Sequence, residues 1–222
     1  IEEFMTGPEV SVLCFCDGKT IKPMTSAMDH KRAYDGDEGP NTGGMGAYTG
    51  LPFITAADRE FAYKEIMCKA ASAMAAEGCL LSGVLYGGLM KTAQGIKVIE
   101  FNARFGDPET EVVLPLLKSD IFDIFDAVAS GRPADEPEWA SDVTLGVVLA
   151  SKGNPGKYEK GFEIGLEGVG GRIYHMGTAL RDGVLTTSGG RVLMVVGTGA
   201  DVAEARKKVY AEVARVRCDN LF

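Results

Sequence analysis

Hydrophobic and polar positions along this chain switch between strand-like and helix-like spacing. Residues 9–16, Glu-Val-Ser-Val-Leu-Cys-Phe-Cys, are rich in apolar side chains on both faces and predict a strand. Asp17-Gly18-Lys19 follows as a hairpin turn, with a short returning strand over 20–24. Residues 35–50 hold too much glycine to predict a regular element and read as a loop. Helical spacing returns over 56–77, where Phe61, Ile66, Ala70 and Met74 approximate one apolar face. Thr55 is placed to cap that helix with Asp58 three residues on, and Gly78 to end it. A second hairpin is predicted from strands near 82–91 and 96–104, joined by Thr92-Ala93-Gln94-Gly95.

A helix near 120–129 has Ser119 as its expected cap and Gly131 beyond its end, and residues 131–142 read as a linker. Beyond it, strands near 143–151, 171–180, 184–187 and 191–197 alternate with glycine-rich turns. A helix over about 202–215 closes the pattern, with Asp201 and Glu204 placed to cap it. The expected architecture is α+β. An antiparallel sheet with helices over 1–130 is followed by the linker and a smaller α+β domain over 143–222.

Composition narrows the function classes. The chain is 45% hydrophobic and 24% charged, ordinary values for a water-soluble domain. Its formal net charge of −8 argues against a nucleic-acid partner or an anionic membrane surface. Five scattered cysteines, with Cys14-x-Cys16 inside an apolar strand, read as buried thiols rather than a metal pair. His30 and His175 are too few to complete a zinc site easily. The cytoplasm is the expected compartment. The chain opens on Ile-Glu-Glu-Phe without a methionine, which suggests a piece of a longer protein.

Three segments carry candidate chemistry. In Val98-Ile99-Glu100-Phe101-Asn102-Ala103-Arg104-Phe105, strand alternation puts Glu100, Asn102 and Arg104 on one side, about 7 Å apart from one to the next. Ile99, Phe101, Ala103 and Phe105 then share the other side as a core anchor. A carboxylate and an amide oxygen suit a hard divalent cation, and a guanidinium suits phosphoryl charge. The same alternation also describes an ordinary exposed strand face. The tight turn that follows, Gly106-Asp107-Pro108-Glu109-Thr110-Glu111, adds acids.

The second segment, Gly39-Pro40-Asn41-Thr42-Gly43-Gly44-Met45-Gly46, is short of side chains and exposes backbone N–H groups that can hold carboxylate or phosphate oxygens. A flexible connection is the competing reading. Upstream, Asp29-His30-Lys31-Arg32 mixes an acid with a basic cluster. The third segment, Glu2-Glu3-Phe4-Met5-Thr6-Gly7-Pro8-Glu9, otherwise reads as an edge strand and a turn.

In order and spacing, these segments together resemble the phosphoribosylamine–glycine ligases, a family of ATP-grasp enzymes. The first nine residues look like the hinge strand of the ATP-grasp fold. Asp29-His30-Lys31-Arg32, residues 39–48 and Glu-Phe-Asn-Ala-Arg-Phe-Gly-Asp-Pro-Glu-Thr at 100–110 are similar to that family specifically, and Gly-Gly-Arg-Val-Leu at 189–193 also fits it. The resemblance implies that Glu3 and Met5 bind the adenine edge of ATP through their backbone, with Phe4 and Glu2 beside it. Glu9 would accept from the ribose, and Glu100 and Asn102 would coordinate Mg²⁺ or Mn²⁺. Arg104 would face the reacting phosphates. Asp29, Lys31, Asn41, Thr42, Gly43, Gly44 and Asp107 would help bind glycine and 5-phosphoribosylamine.

The implied reaction joins those two substrates through glycyl phosphate, giving glycinamide ribonucleotide, ADP and phosphate. Three departures from the family's pattern stand out. Leu85–Met90 offers no second metal-binding acid, Met28 stands where glutamine is expected, and Glu111 does so as well. The family's N-terminal domain and its lysine-bearing ATP-grasp subdomain are absent from this sequence, so the polypeptide alone is expected to be inactive. Two other readings compete: a different ATP-grasp carboxylate–amine ligase, against which the Gly-Pro-Asn-Thr-Gly-Gly-Met-Gly loop argues, and a non-catalytic interaction module that would bind no Mg·ATP.

Overall fold

Residues 2–222 are described by a computed structural model; Ile1, the first residue of the hinge-like segment, lies outside the described residues. In chain order the strands begin with β1 (Glu9–Asp17), β2 (Ile21–Pro23), β3 (Ala27–Asp29), β4 (Arg32–Tyr34), β5 (Glu38–Asn41) and β6 (Gly46–Thr49). A helical run follows as α1 (Ala56–Phe61), a π-helical segment (Ala62–Met67) and α2 (Cys68–Ala76). Then come β7 (Ser82–Thr92), β8 (Gly95–Asn102), α3 (Thr110–Val113) with a 3₁₀ extension (Leu114–Leu116), and α4 (Ile121–Ala129). The last elements are β9 (Val143–Ala150), β10 (Arg172–His175), β11 (Thr178–Arg181), β12 (Val184–Thr187), β13 (Arg191–Gly199) and α5 (Val202–Val213).

The α+β expectation agrees with this mixture of antiparallel strands and a few helices. The chain divides into two compact units, residues 1–28 with 50–141 and residues 29–49 with 142–222. Residues 29–49, which the sequence pattern groups with the first domain, thus cluster with the C-terminal strands.

In the first unit, β1 pairs antiparallel with β7, from Glu9 opposite Met90 to Asp17 opposite Ser82, and β7 pairs antiparallel with β8. Alternation along β1 gives the sheet two buried faces. On one, Phe15 meets Phe105 and Phe125 edge to face, at ring-centroid distances of 6.5 and 6.1 Å, and Ser82 Oγ donates to the Val128 carbonyl of α4. On the other, the Met67 thioether fills the space a side chain at Gly87 would need, and Tyr63 donates to the Ile21 carbonyl. Cys14 and Cys16 are buried free thiols, as expected from their strand.

Thr55 caps α1 as the sequence predicts: its hydroxyl accepts from the Asp58 N–H while the Asp58 carboxylate accepts from the Thr55 N–H. The α4 cap is one residue later than expected. Asp120 accepts from the Phe122 N–H, while Ser119 Oγ accepts from the Glu138 N–H. That bond belongs to a return of residues 138–140 along 116–119, where Lys118 N–H donates to the Glu138 carbonyl and Ala140 N–H to the Leu116 carbonyl.

In the second unit, the antiparallel order is β10–β13–β9–β6, with α5 packed on β13 and β9. Leu149, Ile164, Val192, Leu193, Val195 and Val209 form its buried core. The strand expected over 171–180 is broken into β10 and β11. The backbone at Gly177 comes so close to Gly189 that a Cβ would sit 2.6 Å from Gly189 Cα, too near for any continuous pleat bearing side chains. The segment expected to be a loop over 35–50 instead contains β5 and β6, and part of it pairs with β9, Gly46 opposite Val147 and Tyr48 opposite Leu145.

Candidate functional site

In the first unit the candidate chemistry gathers on β8 and the turn after it. The β7–β8 ladder shifts register there: Leu89 lies opposite Val98, but Gly88 lies opposite Glu100, so Ile99 is an extra residue forming a bulge. Beyond the bulge, Glu100 and Asn102 share one face, opposite Gly88 and Tyr86. Their side chains meet directly, Asn102 Nδ2 donating to Glu100 Oε1 at 3.1 Å. Gly88 presents no side chain between them and β7.

Two parts of the sequence-based picture of this strand change. β8 ends at Asn102, so Arg104 is not on the strand face; its Nη1 donates to the Phe105 carbonyl from the following turn. The apolar side is not a core anchor either. Phe101 is 44% exposed and Ile99 is also exposed, because β8 is the edge strand and the bulge takes Ile99 out of alternation. Phe105 alone of that set packs inward, against Phe15 and Phe125.

Beneath the turn sits a residue that the sequence shows only as one more acid of the 106–111 turn. Glu109 is 3% exposed and accepts from Ser11 Oγ of β1 and Tyr86 OH of β7, both at 2.8 Å. Its other oxygen lies against Gly106, 2.5 Å from where a Cβ would stand. A buried carboxylate is costly unless its lone pairs are occupied. Two hydroxyls meet that need here and tie the 103–109 turn, with Arg104 and Asp107, to the sheet. Ser11 is the signal that could have revealed it: a polar residue at an inward position of an otherwise apolar strand.

The hinge-like segment Glu2–Met5 has no regular secondary structure and precedes β1, with Glu9 as the first residue of that strand. Phe4 is 91% exposed. Lys97 of β8 donates to Glu3 Oε1 at 2.6 Å, and the Lys91 N–H donates to the Pro8 carbonyl, which holds the segment beside the β7–β8 ribbon.

In the second unit, Asp29 ends β3, Lys31 lies between β3 and β4, Asn41 ends β5, and Thr42, Gly43 and Gly44 lie in the connection to β6. That connection is an ordered turn. Thr42 donates to the Lys31 carbonyl through both its N–H (2.6 Å) and its hydroxyl (2.9 Å), and the Met45 N–H donates to the His30 carbonyl. Gly44 N–H donates to Thr42 Oγ1 at 3.0 Å, and His30 stacks on Tyr48 at 5.8 Å.

Glu100 and Asn102 offer one carboxylate and one amide as oxygen donors, which suits a hard divalent cation whose remaining ligands come from phosphate or water. Among the described residues no group of three or more His, Cys, Asp or Glu could hold a metal by itself. The pair therefore fits an ion delivered with a phosphate ligand rather than a permanent all-protein site.

Residues 1–110 match the family model for the phosphoribosylglycinamide synthetase ATP-grasp (A) domain, and residues 144–222 match that for the phosphoribosylglycinamide synthetase C domain. The chain belongs to the phosphoribosylglycinamide synthetase family. Among curated relatives, it is 49% identical to the phosphoribosylamine–glycine ligase of Halalkalibacterium halodurans, over 100% of this chain and 52% of that protein. The crystal structure of phosphoribosylamine–glycine ligase from Thermotoga maritima matches with a TM-score of 0.90 and 36% identity, over 99% of this chain and 55% of that one.

The biotin carboxylase domain of a thermophilic 2-oxoglutarate carboxylase matches at TM-score 0.72 and 12% identity, over 100% of this chain and 49% of that one, a likeness of fold alone. This member of the synthetase family spans about half the length of the curated relatives it matches. No helix among the described residues is long and apolar enough to cross a membrane.

Proposed function

We propose that this chain is part of a cytoplasmic enzyme that joins glycine to 5-phosphoribosylamine at the expense of ATP, giving glycinamide ribonucleotide, ADP and phosphate. The observation that carries the reading is the Glu100–Asn102 contact on β8, inside the segment matched to the family's ATP-grasp domain. The functional partition into 1–130 and 143–222 is supported by the two family models on 1–110 and 144–222.

In this reading the backbone of Glu3 and Met5 binds the adenine edge, with Glu2 and Phe4 beside it, and Glu9 accepts from the ribose hydroxyls. Glu100 and Asn102 hold Mg²⁺ or Mn²⁺, which when bound offsets charge on the ATP phosphates. A carboxylate is a poor acyl donor, so glycine's carboxylate attacks the γ-phosphorus of ATP, the bond to the β–γ bridging oxygen breaks with ADP leaving, and glycyl phosphate forms. The amine of phosphoribosylamine then displaces phosphate. Arg104 offsets negative charge on the transferring group. Asp29, Lys31, Asp107 and the Asn41–Gly44 turn orient the two substrates. The rest of the enzyme, absent from this sequence, completes the nucleotide site.

The test is an ADP-release assay on the whole protein that contains this chain. ADP should form only when glycine, phosphoribosylamine and ATP are all present. Release that ignores the omission of phosphoribosylamine would sink the reading.

A further inference from the structure

Tyr86 stands at both ends of the turn that carries Arg104 and Asp107. Its backbone lies opposite Asn102, where β8 stops and the turn begins. Its hydroxyl donates to Glu109, where the turn stops and α3 begins. Ser11 Oγ donates to the same carboxylate oxygen, and the two hydroxyls are themselves 3.0 Å apart, so three oxygens close a buried triangle. The Tyr86 ring takes its room from two glycines. A Cβ on Gly88 would stand 3.5 Å from Tyr86 Cε1, and one on Gly106 only 3.0 Å from Tyr86 Cε2.

The rows of the sheet put this triangle on the face that bears the Glu100–Asn102 pair. Ser11 lies opposite Gly88 and Gly88 opposite Glu100; in the next row Leu13 lies opposite Tyr86 and Tyr86 opposite Asn102. Residues directly opposite one another share a face. The turn crosses that face pinned at two points, by Phe105 against Phe15 and by Glu109 on Ser11 and Tyr86. Asp107 lies between the pins. Arg104 immediately precedes the first, with its Nη1 donating to the Phe105 carbonyl. Tyr86 and Glu109 are both buried, so anything they add to a reaction passes through the turn they hold.

We propose that Tyr86 and Glu109 are positioning residues for the ligase reaction, holding Arg104 at a fixed distance from the Glu100–Asn102 pair. The identity of the reaction rests on the functional reading above; the brace rests on this geometry. A guanidinium offsets charge on a transferring group only from a defined place, and a misplacement of about 1 Å costs up to about a hundredfold in rate. Loss of the Tyr86 hydroxyl leaves Ser11 as the remaining anchor of Glu109, so its effect is smaller.

The test is a double-mutant cycle on the whole enzyme, with kcat for ADP release measured at saturating substrates. Tyr86→Phe keeps the ring between the two glycines and should lower kcat about tenfold in the parent, but less than about twofold where Arg104→Ala is already present. Glu109→Gln, a residue of the same size, should show the same dependence on Arg104. A mere loss of folded enzyme lowers both backgrounds by one factor, so it cannot produce that pattern.

Equal losses in the two backgrounds would overturn the proposal, and so would Tyr86→Phe and Glu109→Gln enzymes that both turn over like the parent. Arg104→Ala without effect of its own would overturn it too, since the brace would then hold nothing that matters to the rate. Dependence on Arg104 in an enzyme that releases ADP without phosphoribosylamine would leave the brace standing and count against the functional reading alone.

Discussion

Asn102 donates its side-chain amide to the Glu100 carboxylate at 3.1 Å, so the only two oxygen-bearing side chains of the β8 face are already in contact. The bond points one Asn102 proton at Glu100 and orients the amide. Glu100→Ala should therefore lower ADP release by the whole enzyme at least about a hundredfold, as loss of a charge-stabilising group at a phosphoryl site does. Asn102→Ala should act mainly by raising the Mg²⁺ concentration needed for half-maximal rate, which a metal titration of the initial velocity reads directly.

Glu109 is expected to matter for the fold of the turn. Glu109→Ala leaves the Ser11 and Tyr86 hydroxyls buried without their acceptor and opens a void beneath Gly106, a loss of about 3 kcal/mol. Urea denaturation of the chain should show the midpoint falling. Ser11→Ala should cost less, because Tyr86 still donates to the same oxygen.

Asp58 links acid sensitivity to one ion pair. The Lys91 ammonium donating to it, followed by the Thr55 N–H and hydroxyl, pushes its carboxyl down to about 2. A carboxyl depressed in the folded state adds stability that is complete above the unfolded value of about 4 and disappears as pH falls through 2. Asp58→Asn should accordingly lower thermal stability at pH 7, and the gap to the parent should close between about pH 4 and pH 2. A gap that stays constant over that range would refute the linkage.

Burial pushes the Cys14 and Cys16 thiols up, with the neighbouring Cys68 adding to the effect at Cys14. Cys79 is exposed. Iodoacetamide at neutral pH should modify Cys79 in the native chain and spare Cys14 and Cys16 until denaturant is added, as peptide mass spectrometry would show.

Gly177→Ala tests the break between β10 and β11. Its methyl would fall 2.5 Å from the Arg191 carbonyl and 2.6 Å from Gly189 Cα, both backbone atoms that cannot rotate away. The expected cost is about 2–3 kcal/mol, typical of overpacking, read as a lower urea midpoint.

The long elements were legible because each carries its own period: β1, β7 and most of the 56–76 helical run follow from alternation and a capping box within one stretch of chain. The strands inside 27–49 were not, since three- and four-residue strands show no alternation, and β6 finds its partner β9 about a hundred residues away. Helix α3 escaped notice because it is a four-residue turn running into a 3₁₀ segment that contains Pro115. In the candidate site, the Glu100–Asn102 pair was visible in the two-residue spacing. Arg104's place off the strand is not legible because a strand pattern does not show where the strand stops, and the bulge at Ile99 leaves no compositional trace. Glu109 depends on contacts with Ser11 and Tyr86, which lie 98 and 23 positions away.

Because β6 lies early in the chain and β9 and β13 lie late, the second unit is interrupted by almost a hundred residues that belong to the first. On the ribosome the first unit's residues are complete while β6 still waits for its partner strand to be made. The waiting segment exposes an unpaired edge throughout that interval, which makes nascent-chain aggregation and slow final closure the characteristic hazards of this topology. A polypeptide beginning at residue 142 would lack β6 altogether, so dissection of this protein at a single cut would not yield the second unit intact.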